Sequence, residues 1–182
     1  LCYRGSVSAW SVTINKSIVS GEVRCLWSGS AICGEGLLWH PDLQALFWVD
    51  IDSCQAHGYW WKSHQCKTWH FPEKLAWLLA IQGRKEILGG FQSGIYLIDF
   101  DRGGERKFVM DPEPGVTGNR LNDAVCDIQG CIWTGTMNDK EIEPSGWFYR
   151  IDTDLTCSVC DGPFVISNGP AISPDDRTLY QV

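Results

Sequence analysis

At 182 residues, 44% of them apolar and 20% charged, the chain has a globular composition and enough length to bury one full core, which excludes a disordered or fibrous character. Its formal net charge of −7 offers no basic surface to neutralise phosphates, so nucleic acid is not an expected partner. No apolar run approaches the roughly 20 residues that span a bilayer, and the first residues lack the apolar segment of a secretory signal, so no membrane association is expected.

Ten Trp and nineteen Gly point to an all-β chain, because aromatic residues favour strands and glycines supply the tight turns between them. The nine cysteines are odd in number and scattered. The one CxxC, Cys157-Ser158-Val159-Cys160, has no second pair or neighbouring His to complete a zinc site. They read as reduced, mostly packed thiols of a cytoplasmic protein.

Residues 1–22 match nothing that follows and read as an N-terminal lead-in or first strand. From residue 23 to 182 a unit recurs: an apolar strand, a polar turn, a second apolar strand, then a Gly-aromatic strand ending in Asp. Its second strand centres on Leu46-Phe47, Ile87-Leu88, Ile132-Trp133 and Leu179-Tyr180. Phe47 to Leu88 spans 41 positions, Leu88 to Trp133 spans 45, and Trp133 to Tyr180 spans 47. A period of about 40 to 50 residues belongs to β-propellers, one four-stranded blade per repeat. The chain therefore predicts about three full blades and part of a fourth, within one domain. A β-sandwich with strands at similar spacing is the competing fold. The turns HPDLQA, QGRKE, IQGC and SPDDRT suit hairpins, and Glu73–Ile81 is the one stretch that admits a helix.

Candidate chemistry lies just ahead of three of these strands. Gly34-Glu35-Gly36 places a carboxylate between glycines, where backbone can approach a ligand closely; taken alone it reads better as a turn with a solvated glutamate. Arg120, Asn122 and Asp123 bring a cation, an amide and a carboxylate to one strand entrance, a mixture suited to hydroxyl-rich ligands and oxygen-loving cations. An Asx-rich turn explains them equally well. Asn168 precedes the last repeat. Counted to the aromatic at the centre of the second strand that follows, Glu35 to Phe47 is 12 positions, Asn122 to Trp133 is 11 and Asn168 to Tyr180 is 12. Equivalent positions on successive blades converge on the central axis, so the three polar groups are predicted to share one mouth. His40, His57, His64 and His70 have no metal-ligand spacing and read as surface residues of turns and strands, and the Trp-rich stretch from Tyr59 to Trp77 reads as core packing.

The segments GEGLLWHPDLQALFWVDI, NRLNDAVCDIQGCIWTGTM and ISNGPAISPDDRTLY, in that order, resemble the signature segments of the SMP-30/gluconolactonase family, which includes regucalcin. The resemblance implies an all-β, six-bladed propeller, of which this chain is a C-terminally truncated part. It implies metal-dependent hydrolysis of a sugar lactone such as gluconolactone or arabinolactone, with one divalent ion (Ca, Mg, Mn or Zn). Glu35, Asn168 and Asn122 would be metal residues, Asn122 directly or through water. Arg120, Asn122 and Asp123 would be substrate-binding residues. No catalytic residue is assigned: the family's general-base aspartate belongs to a later PDG-like segment, expected beyond Val182, so the chain alone is expected to be inactive. Asp175 and Asp176 are hairpin residues by position. Leu37 stands where the family has Pro, and Asn138-Asp139-Lys140 fall where some members place a substrate-contacting acid, with Lys140 a departure from that pattern. A cation-binding protein without turnover and a scaffold for protein partners are the alternative readings.

Overall fold

Apolar alternation in the first repeat folds into an antiparallel meander of β1 (Gly34–His40), β2 (Ala45–Asp50), β3 (Gln55–Trp60) and β4 (Gln65–His70). In β2, Ala45, Phe47 and Val49 are fully buried while Leu46 and Trp48 are half-buried, the period of two that one packed face requires. The computed structural model describes residues 25–182, so the lead-in read over 1–22 lies outside the described residues. Two further meanders follow: β5 (Leu75–Ala80), β6 (Ile87–Phe91), β7 (Gly94–Asp99) and β8 (Glu105–Met110), then β9 (Asn119–Cys126), β10 (Ile132–Asn138), β11 (Gly146–Ile151) and β12 (Cys157–Phe164). A last hairpin pairs β13 (Ala171–Ile172) with β14 (Leu179–Tyr180). The architecture is a partial β-propeller of three blades and the first hairpin of a fourth.

Three expectations need correction. The stretch that admitted a helix, Glu73–Ile81, holds strand β5, because its apolar run Leu75–Leu78 is buried on both faces between neighbouring blades. Two histidines read as surface residues, His40 and His57, are buried, while His64 and His70 are exposed. Packing of the thiols is mixed: Cys131 is buried, Cys33, Cys54 and Cys157 are partly buried, and Cys25, Cys66 and Cys160 are exposed. The Trp-rich stretch is mainly core, as read: Trp69 and Trp77 are buried, with Trp61 on the surface.

Packing between successive blades forms the core. Phe47 stacks on Phe100 of the second blade at 5.2 Å between ring centres, and Trp69 closes the group at 4.5 Å from Phe100. Leu75, Trp77, Ile87 and Phe91 continue it towards Leu121 and Ile132 of the third blade. Burial of each such side chain is worth about 1.5–3 kcal/mol.

Among the buried side chains, His40 packs edge-on to Phe47, its Nε2–H donating to the Arg84 carbonyl at 3.1 Å and its Nδ1 accepting from the Leu43 N–H at 3.4 Å. Both nitrogens are used by the neutral ring. Burial lowers the pKa of His40 and of His57. The unfolded state therefore binds more protons below the ordinary histidine value of about 6.5. Stability contributed by the two rings is present above that pH and lost as pH falls through their folded values.

Gly135 of β10 fixes where the fourth blade begins. A methyl group there would overlap the Ser167 side chain, so only glycine lets the 166–168 segment lie this close. That segment is seated by the Asn122 amide donating to the Ser167 carbonyl at 2.8 Å, by Gln181 donating to Ser167 Oγ at 2.9 Å, and by a Met137–Ile166 bridge.

Two outcomes follow. Denaturant midpoints measured between pH 7 and 5.5 are expected to fall as the pH drops, and a flat profile would contradict buried neutral histidines. Gly135→Ala is expected to destabilise the chain by about 1–3 kcal/mol through overpacking and to shift the NMR signal of the Asn122 side-chain amide; an unchanged midpoint and amide signal would contradict the seating.

Candidate functional site

The first strands of the three blades lie side by side, β5 between β1 and β9, and each loses register at one place. The irregularity falls between Glu35 and Leu38 in β1, between Leu75 and Trp77 in β5, and between Leu121 and Ala124 in β9. A bulge inserts an extra residue, bends its strand and re-aims side chains. In β1 it is built on Gly36, whose φ of +61° suits glycine. The bulged residues Gly36, Ala76, Asn122 and Asp123 all line one cavity of about 170 Å³.

That cavity brings together every site residue predicted from the sequence: Glu35, Arg120, Asn122, Asp123 and Asn168. Blade one supplies Glu35, blade three supplies Arg120, Asn122 and Asp123, and the loop entering blade four supplies Asn168. Glu35 is exposed and its carboxylate accepts no hydrogen bond from the described residues. Its backbone is anchored from behind by the buried Asp50, which accepts from Ile32 N at 3.1 Å, Cys33 N at 2.9 Å and Ser53 Oγ at 2.6 Å. Burial pushes the Asp50 carboxyl up, but those bonds outweigh it and hold the group below its ordinary pKa.

Arg120 is the buried cation of the site. Its Nη1 donates to the Leu121 carbonyl at 3.0 Å and to Asn122 Oδ1 at 2.8 Å, and its Nε donates to Asp139 Oδ1 at 3.1 Å. Asn122 is thereby oriented from both ends, since its Nδ2 donates to Ser167. Asp123 accepts from Ala124 N at 2.8 Å and Gly169 N at 3.2 Å, linking blade three to the Asn168 loop. Burial raises the Asp123 carboxyl, and these two bonds offset part of the rise. Asn168 is exposed, with its Oδ1 accepting from Gly169 N at 2.9 Å and its backbone paired both ways with Val182 at 2.9 and 3.0 Å.

The donors around the cavity are therefore carboxylate and amide oxygens, the set that suits a hard cation. No cluster of three His, Cys, Asp or Glu groups exists among the described residues. A cation here would rest on one carboxylate with amide oxygens beside it. Asp175 stands apart from the cavity in the β13–β14 turn, accepting from Ser173 Oγ at 2.6 Å.

Several residues at the site went unread in the sequence. Glu141 lines the cavity where Lys140 drew attention, and Lys140 is exposed. Ala76 lines the cavity from the second blade's bulge; it lies 12 positions ahead of Leu88, which is not aromatic, so a count to an aromatic passes it by. Asp139 and Lys74, which meet at 2.7 Å, left no spacing to read because they come from different blades.

The chain is similar to known proteins in both sequence and fold. Residues 33–182 match the family model described as SMP-30/Gluconolactonase/LRE-like region. An L-arabinolactonase of Azospirillum brasilense is 31% identical over 165 residues, covering 88% of this chain and 54% of the relative. A 6-deoxy-6-sulfogluconolactonase of Pseudomonas putida is 28% identical, covering 87% and 54%. Among solved structures, the calcium-binding protein regucalcin of Agrobacterium tumefaciens superposes with a TM-score of 0.80 at 25% identity, covering 86% of this chain and 52% of that one. The chain spans about half the length of the curated relatives it matches. On the family match, reaching from just before Glu35 to the final residue, the chain belongs to the SMP-30/gluconolactonase/LRE-like family.

Proposed function

We propose that the protein carrying this chain hydrolyses a sugar lactone to its aldonic acid at the Glu35–Asn168 cavity, with one divalent cation (Ca, Mg, Mn or Zn). The carrying observation is that polar groups from three blades, far apart in sequence, line a single cavity. The relatives named as lactonases support the reaction class.

Glu35 and Asn168 would hold the cation through a carboxylate and an amide oxygen. Asn122 would reach it through water, because its Oδ1 already accepts from the Arg120 guanidinium. When bound, such an ion polarises a carbonyl and makes a bound water more acidic. Lactone hydrolysis passes through a tetrahedral oxyanion, which fixed hydrogen-bond donors stabilise. Arg120 supplies donors of that kind: its two Nη2–H groups have no acceptor among the described residues. Asp123 faces the same cavity and accepts from substrate hydroxyls. The proposal assigns no general base within this chain. We place the protein in the cytoplasm, a reading supported by the exposed thiols at Cys25, Cys66 and Cys160. A second reading, cation binding without turnover, is favoured by the likeness to a protein described as calcium-binding.

The full-length protein is expected to open gluconolactone or arabinolactone in a pH-indicator assay, to lose the activity to chelator, and to regain it on adding a divalent ion. The 182-residue chain alone is expected to be inactive, and turnover by it would contradict a base outside the chain. Glu35→Gln in the full-length protein is expected to weaken cation binding by calorimetry at least about tenfold, or about 1.4 kcal/mol. Unchanged affinity would remove Glu35 from the site.

A further inference from the structure

Asp139 follows β10 and belongs to none of the segments that supply the cavity's predicted groups, yet its carboxylate meets the cavity's cation. Oδ1 accepts from Arg120 Nε at 3.1 Å and from Lys74 Nζ at 2.7 Å, and Lys74 in turn reaches Asp52 at 3.2 Å. Charges alternate along this chain of contacts, from Asp52 of the first blade through Lys74 of the second to Asp139 and Arg120 of the third. Asp139 is itself fixed, its backbone N–H donating to the Gly118 carbonyl at 2.9 Å just ahead of the strand that carries Arg120.

We propose that Asp139 is a positioning residue for Arg120. The guanidinium has five N–H groups in a planar fork. Nε is committed to Asp139 and Nη1 to Leu121 and Asn122, which leaves the Nη2 pair without an acceptor among the described residues. An arginine side chain is otherwise free among many rotamers, and a group locked beforehand by its surroundings loses less of that freedom on meeting a ligand. Asp139 supplies the charged acceptor that locks the fork, and the lock extends further: Arg120 Nη1 orients Asn122, whose amide holds the Ser167 carbonyl. Loss of the Asp139 charge frees Nε, and the guanidinium then has several arrangements instead of one. This role rests on the lactone reading for what Arg120 binds, but the lock itself does not.

The test uses the full-length protein and the variant Asp139→Asn. Its KM for the lactone is expected to rise about tenfold, the loss of one charge-assisted bond's worth of alignment, with kcat less affected and calorimetric Ca²⁺ affinity unchanged. In an Arg120→Met background the same substitution is expected to shift KM by less than about twofold, because a residue acting through Arg120 has nothing left to act on. A second full tenfold loss in that background would overturn the proposal. Independently of turnover, the Arg120 Nε–H NMR signal, assigned by its disappearance in Arg120→Met, is expected to be protected from exchange in the parent and unprotected in Asp139→Asn. Equal protection in both would also overturn it. Should the parent fail to open lactones while the Nε–H signal responds as expected, the lactone reading falls and the positioning role stands.

Discussion

The site depends on a backbone irregularity repeated three times. A regular antiparallel first strand would send alternate side chains into the packing between blades, where Trp77 and Leu121 belong. Each first strand instead slips register near its start, at Gly36, at Ala76 and at Asn122–Asp123, and every one of these residues reaches the cavity wall. Bulges therefore separate two tasks within one strand: Trp77 just past the slip and Leu121 just before it join the core, while Gly36, Ala76, Asn122 and Asp123 at it face the cavity.

Seating of the fourth blade is coupled to this geometry. Ser167 packs against Gly135, opposite the β9 bulge, and accepts the Asn122 amide, so the Asn168 loop is held by the same residues that shape the third blade's share of the site. Asp123 adds a bond to Gly169 from the other side of Asn168. Residues distant in sequence thus act on one another across a blade boundary, and the position of Asn168 is a tertiary property, not one of its own turn.

Much of the fold was legible because the repeat has both a period and a register. Counting from Glu35, Asn122 and Asn168 to the aromatic at the centre of the second strand placed all three at equivalent sites, and the cavity gathers them. The count passes over Ala76, because Leu88 stands where the other repeats have an aromatic and a small apolar residue carries no chemical signal, so the second blade's place on the wall was invisible. Glu73–Ile81 misled because a strand buried on both faces reads as a continuous apolar run, which periodicity cannot tell from a helix. His40 and His57 were misplaced for a related reason: a neutral imidazole is tolerated in a core, and nothing local announces the Arg84 carbonyl that pairs with His40 or the Thr68 hydroxyl, 2.9 Å from His57 Nδ1, while His57 Nε2 is buried without a partner among the described residues. Asp139 was read only as part of Asn138-Asp139-Lys140, a place for a substrate-contacting acid, since its partners Lys74 and Arg120 come together only when the second and third blades pack.

Charge within the cavity is divided in a way that suits its proposed task. Glu35, Asp123 and Glu141 bring carboxyl groups to the wall and Arg120 brings one guanidinium, already engaged by Asp139. The remaining negative character lies at the open side, with Glu35 and Asn168 both exposed to what enters. The most direct measurement is the anomalous difference map of full-length crystals soaked in Mn²⁺. The account predicts a single strong peak in contact with the Glu35 carboxylate and the Asn168 amide oxygen. A cavity without a peak, or an ion bound away from these two side chains, would contradict it.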